Sequence, residues 1–112
     1  MLPRDNRISS RAIFQKVIER GKRRENQYFR IFFTENYQNI SRFAVIISSK
    51  VCPSAVKRNL IKRRIRNIIK SLIPLLPSGF DVLIFVKKDC LEITFQQMKN
   101  QLEEFLIKVL KD

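Results

Sequence analysis

The chain has 112 residues, enough for one hydrophobic core and too few for a large enzyme cleft. Its 23 Lys and Arg against 10 Asp and Glu give a formal net charge of +13, a balance that points to nucleic acid or an anionic membrane surface as partner. With no histidine, two cysteines outside any CxxC spacing, two glycines and only scattered carboxylates, the sequence excludes a zinc site, histidine-based nucleophilic catalysis and a glycine-rich phosphate loop, so any catalysis it joins belongs to a partner.

Arg4, Arg7 and Arg11 make a basic N-terminal arm ahead of a short helix predicted from about Ser10 to Arg20. Gly21 is a natural terminator there, since glycine accepts the left-handed conformation at a helix end. Phe14, Val17 and Ile18 stand at i, i+3 and i+4, an apolar stripe of the kind that usually faces a core. Lys22-Arg23-Arg24 reads as a basic turn or a short edge strand. Gln27 to Thr34, rich in aromatic and β-branched residues, reads as a strand with Tyr28, Arg30 and Phe32 on one side of the pleat and Phe29, Ile31 and Phe33 on the other. An arginine between two rings departs from a plain core face. Proteins steady unpaired nucleotides with such alternation, at roughly 1–3 kcal/mol per stacked base. After a polar connection from Glu35 to Ser41, Arg42 to Ser49 reads as a second strand, expected to pair antiparallel with the first.

The stretch from Val51 to Ile73 organises the chain. Pro53-Ser54 supplies a helix start, because a serine oxygen accepts from the first free backbone N–H groups, and Pro74 supplies a stop. Between them Arg58, Lys62, Arg66 and Lys70 recur at steps of four along one face, with Asn59 and Arg63 on its flank, while Ile61, Ile65, Ile68 and Leu72 share a neighbouring face. The helix therefore rests on a core with one side and offers a basic ridge with another. Like charges four residues apart repel by roughly 0.2–0.5 kcal/mol per pair, and no acidic residue in the helix relieves them. A polyanion reverses the sign of that cost, through guanidinium forks and ammonium groups on phosphate oxygens and Asn59 on a sugar or base edge. A merely solvated face is the plainer reading of a charge run, but it suits mixed charges better than a ridge of one sign.

Leu75 to Gly79 reads as a turn, and Phe80 to Val86 as a buried central strand interrupted only by Asp81. Thr94 and Gln97 have capping-box spacing ahead of a helix from about Phe95 to Leu110, whose Met98, Leu102, Phe105, Leu106 and Val109 form an apolar stripe for packing against the sheet. The order helix, two or three strands, helix, strand, helix implies one α+β domain over residues 1–112, with helices covering an open sheet. Residues 36–80 carry nine basic and no acidic side chains, which centres the field on the middle helix. No apolar run reaches ~18 residues and the N-terminus has no signal-peptide core, so a cytoplasmic protein with reduced thiols is expected and a membrane partner is not.

Ala55-Val56 before Arg58-Asn59, followed by Ile61-Lys62-Arg63 and Ile65-Arg66, resembles the signature of the bacterial ribonuclease P protein subunit. Arg7-Ile8, Phe14 to Val17 with Gly21, and Gly79 to Ile84 resemble the same family, in the same order and across almost the whole chain.

The resemblance implies a small basic cofactor of an RNA enzyme that removes the 5′ leader of precursor tRNA by hydrolysing one phosphodiester bond. The RNA then holds the catalytic centre and most of the Mg2+, the protein alone has no catalytic residue and no metal or other cofactor, and one protein pairs with one ribonuclease P RNA. Carried over by position, Lys50, Arg58, Asn59, Lys62, Arg63 and Arg66 contact the RNA, and Phe14, Ile18, Arg30 and Phe32 line the cleft for the leader. The implied fold is an α-β-β-β-α-β-α sandwich resembling ribosomal protein S5 domain 2, with a left-handed βαβ crossover. Leu60 departs from the family by replacing the second arginine of an Arg-Asn-Arg triplet, with Arg64 nearby as a substitute. Val51 stands where a second lysine is common, Pro53 where glycine is usual, and Ile18 where phenylalanine is frequent. A non-catalytic RNA-binding protein of ribosomal type is the alternative that composition leaves open.

Overall fold

The computed structural model describes residues 2–111, which run α1 (Arg11–Arg20), β1 (Lys22–Glu25), β2 (Phe29–Glu35), β3 (Arg42–Ile46), α2 (Ala55–Leu72), β4 (Phe80–Val86) and α3 (Phe95–Leu110). Short 3-10 turns at Arg4–Asn6, Ile73–Leu75 and Lys88–Glu92 join them. The four strands form one sheet in the order β1-β2-β4-β3. The α+β class and the sequence of elements are as expected, and Lys22–Glu25 is a true edge strand rather than a turn.

The expected antiparallel pairing of the Arg42 strand with β2 is wrong. β4 lies between them, antiparallel to β2 through pairs such as Ile31 with Ile84, and parallel to β3 through pairs such as Val45 with Ile84. The reason is burial: β4 is apolar on both faces and takes the inner position, whereas β3 carries Arg42 and has the N-terminal arm along its outer side, where Ile8 N donates to Phe43 O at 2.9 Å. β3 also stops at Ile46, because Ser48 turns the chain by accepting from the N–H groups of Val51 and Cys52 at 3.1 and 3.0 Å.

The two faces of the sheet are covered unequally. Phe29, Ile31 and Phe33 of β2, Phe43 and Val45 of β3, and Val82, Ile84 and Val86 of β4 pack in one core with Ile61, Ile65, Ile68, Ile69 and Leu72 of α2 and Met98, Leu102 and Leu106 of α3. Each of these side chains contributes roughly 1.5–3 kcal/mol by leaving water. The opposite face carries α1, which buries Val17 and Leu83 completely and leaves Phe14, Ile18, Phe32 and Phe85 only half covered.

Helix ends follow local chemistry. Ser10, Ser54 and Thr94 each accept from the backbone N–H three residues on, and Thr94 with Gln97 completes a reciprocal capping box. Gly21 does end α1, but at φ −73°, not in the left-handed conformation expected of it. It is needed for space: a Cβ would stand 2.4 Å from Val17 O and 2.9 Å from Phe33 O, where the helix end presses on β2. Gly79 is the left-handed glycine, at φ 90° before β4. Beside it the buried Asp81 is satisfied by Arg42, whose Nε and Nη2 each donate at 2.8 Å, and by Asn36 Nδ2 at 3.0 Å. Among the described residues no helix is long and apolar enough to cross a membrane.

Candidate nucleic-acid interface

The basic ridge of α2 is a consequence of its buried side. Because Ile61, Ile65, Ile68, Ile69 and Leu72 fix one face on the core, the remaining faces carry Lys57, Arg58, Lys62, Arg63, Arg64, Arg66 and Lys70 with no acid among them. Residues four apart are offset by about 40° around the axis, so the row Arg58, Lys62, Arg66, Lys70 winds outward. Its first three members are accordingly half-buried and Lys70 is exposed, as are Asn59, Arg63 and, in the preceding turn, Lys50. Among the described residues no carboxylate stands within 4.0 Å of any charged nitrogen of α2.

Arg58 differs from the others. Its Nη1 donates to the main-chain oxygens of Cys52 and Pro53, at 2.8 and 3.0 Å, and so ties down the loop that enters the helix. Among the described residues the guanidinium groups of Arg63, Arg64 and Arg66 make no ion pair within 4.0 Å.

On the far side of the sheet three rings stand in a row. Phe14 of α1 meets Phe85 of β4 edge-on with centroids 6.4 Å apart, and Phe85 meets Phe32 of β2 edge-on at 5.6 Å. Ile18 lies one turn beyond Phe14 and is half-buried. Arg30 pairs with Phe85 across β2 and β4 and shares this face, but its guanidinium is held by Glu25, with Nε 2.6 Å from Oε1. Glu25 also takes Arg23 Nη2 at 3.3 Å on the same oxygen and Lys87 Nζ at 3.2 Å on Oε2. The Arg30 guanidinium first, then Lys87 and Arg23, hold this carboxyl at about 2 against an ordinary 4.5.

The structure thus brings Phe14, Phe32 and Arg30 onto one face and sets Arg58, Asn59, Lys62, Arg63 and Arg66 on another element, α2. Sequence reading missed Phe85, which joins the other two rings, and the Arg23, Glu25 and Lys87 group. Alternation inside the apolar run, with Leu83 and Phe85 opposite Val82, Ile84 and Val86, was the available signal for Phe85. Among the described residues no group of three or more His, Cys, Asp or Glu comes together. Cys52 and Cys90 are unpaired and buried, and burial pushes the Cys90 thiol up to about 12.

A sheet with a cation-rich helix on one side and a row of aromatic rings on the other is matched as a whole by known proteins. The sequence profile of the family described as Ribonuclease P matches residues 2–110. The chain belongs to the ribonuclease P protein family. It is 32% identical over 111 residues to the ribonuclease P protein component of Microcystis aeruginosa, covering 96% of this chain and 92% of that one. Against the component of a Bacillus cereus strain it is 32% identical over 102 residues, covering 90% and 88%. Its structure aligns with the RNase P protein from Thermotoga maritima at a TM-score of 0.85 and 27% identity, over 92% of this chain and 96% of that one. It aligns with the RNase P protein of Staphylococcus aureus at 0.82 and 28%, over 93% and 94%. The family assignment therefore extends over the helix and the ring face alike.

Proposed function

We propose that the chain is the protein subunit of ribonuclease P, docking on the catalytic RNA through α2 and steadying the 5′ leader of precursor tRNA along the face of Phe14, Phe32 and Phe85. The observation that carries this reading is the absence of any carboxylate within 4.0 Å of the α2 cations among the described residues, which leaves the ridge electrostatically uncompensated until a polyanion arrives. Lys62, Arg63 and Arg66, with Lys50 beside them, neutralise backbone phosphates, and Asn59 hydrogen-bonds a sugar or base edge. Arg58 joins them while holding the helix entry in place.

The chemical step is hydrolysis of one phosphodiester bond, with the RNA supplying the catalytic centre and the Mg2+ sites. The chain's own part is to bind, orient and neutralise. Half-covered rings suit unpaired bases, since stacking needs a π-face rather than a particular base. One protein per RNA, in the cytoplasm, is the expected assembly.

Reconstitution tests the reading. Mixed with a bacterial ribonuclease P RNA at low magnesium, the protein is expected to restore removal of the leader and release tRNA with a mature 5′ end. A ribosomal-type RNA-binding protein would bind without restoring cleavage, and that outcome would overturn the assignment.

A further inference from the structure

We propose that Glu25 is a resident stand-in for an RNA phosphate, and that Arg23, Arg30 and Lys87 form the anion site in which a phosphate of the bound single strand takes its place. The inference rests on the reading of the ring face as the leader's path and adds to it the seat of one phosphate.

Strand register puts the parts together. Arg23 lies opposite Phe32, Glu25 opposite Arg30, and Arg30 opposite Phe85, so the cations and rings share one face. Arg23 itself stands over the Phe32 ring, with the guanidinium carbon 6.0 Å from the centroid. Both carboxylate oxygens are engaged: Oε1 by Arg23 and Arg30, at 3.3 and 2.6 Å, and Oε2 by Lys87 at 3.2 Å. Two acceptor oxygens on one atom, sharing one negative charge, are also what a phosphodiester presents.

Two of the three cations have a second hold besides the carboxylate. Lys87 Nζ donates separately to Asn26 O at 2.8 Å, and Arg23 rests on Phe32. Glu25 closes an edge strand and is exposed, so it can swing into water with little loss of packing. Three cations around one carboxylate leave a net positive site, and they hold the Glu25 carboxyl well below the usual carboxylate range.

Selectivity follows. A loose anion must compete with a tethered carboxylate, whereas a strand already stacked on the rings brings its phosphate to the site at high effective concentration. Glu25 thereby makes the face respond to stacked single strands more than to polyanions in general.

The test is binding of a short single-stranded RNA to the protein alone, read by fluorescence anisotropy across a salt series. Glu25→Gln is expected to tighten binding about fivefold, the scale of a few exposed ion pairs. Adding Arg30→Ala to that variant should erase the gain. Unchanged or weaker binding by Glu25→Gln would overturn the proposal, since the carboxylate would then be a strut that aims Arg30. A gain that survived Arg30→Ala would overturn it too. Tighter oligonucleotide binding without leader removal in the reconstitution would leave the anion site standing and sink the subunit assignment, and the reverse pair of results would sink only the anion site.

Discussion

Arg58 donates a charged hydrogen bond, 2.8 Å long, to the main-chain oxygen of Cys52, the buried residue that precedes α2. A residue expected to serve only the RNA therefore also holds the fold. Arg58→Ala should lower stability by about 1.5–3 kcal/mol, the usual range for hydrogen bonds to a charged group, and weaken RNA binding as well. Arg63→Ala, on the exposed flank, should weaken binding alone. Urea melts alongside RNA titrations separate the two.

Replacing Lys62, Arg63 and Arg66 together by alanine should reduce affinity for ribonuclease P RNA and flatten its salt dependence. The expected loss is about 0.7–0.9 in slope for each phosphate contact removed. Stability should hold or rise slightly, because each relieved like-charge pair returns about 0.2–0.5 kcal/mol. Affinity and slope that stayed at their wild-type values would show that the ridge is not the docking face.

Phe85→Leu keeps an apolar side chain but removes the ring that links Phe14 to Phe32. Precursor tRNA with a leader should bind the holoenzyme about tenfold more weakly, near the lower end of one stacked base, while tRNA without a leader binds as before. The stability cost should stay below about 1.5 kcal/mol. An equal loss for both RNAs would remove the ring row from the leader's path.

The Glu25 carboxyl has a defined pH signature. Its pKa in the folded protein, about 2, lies below the ordinary 4.5, so its ion pairs stabilise the fold above 4.5 and that contribution is lost as pH falls through about 2. Thermal melts of wild type and Glu25→Gln should differ above pH 4.5 and converge toward pH 2. Parallel curves across that window would mean that the cations do not engage the carboxylate in solution.

Gly21→Ala should cost about 1–3 kcal/mol by overpacking, although the backbone angle of this residue is ordinary. The added methyl meets Val17 O and Phe33 O, main-chain atoms that cannot move independently of α1 and β2. Chemical denaturation measures the loss, and a neutral substitution would show that the helix end yields without strain.

What the sequence disclosed was mostly what neighbours along the chain decide. Thr94 and Gln97 announced α3, Ser54 and Pro74 bracketed α2, and the spacing of Ile61, Ile65, Ile68 and Leu72 named its buried side. The partner of β3 was not legible, because the Arg42–Ile46 pattern is compatible with either neighbour and only the two-sided burial of β4 settles the order. The Arg30 side chain was placed on the right face, but its tie to Glu25 was hidden, since that contact crosses a hairpin and is completed by Lys87, just past the end of β4. Gly21 was correctly marked as a stop for a reason the chain does not use: the atom that forbids a Cβ most closely after Val17 O belongs to β2.

Among the described residues no strand neighbours the outer side of β1, and Lys22, Arg23 and Arg24 lie along it, all exposed. Edge-to-edge joining of two copies would set their cations against each other at strand spacing, a repulsion that grows as salt is withdrawn. The open border that invites self-association in other sheets is here kept from it by charge. A solution of the protein should therefore stay dispersed before it meets RNA, and should tolerate low ionic strength better than high.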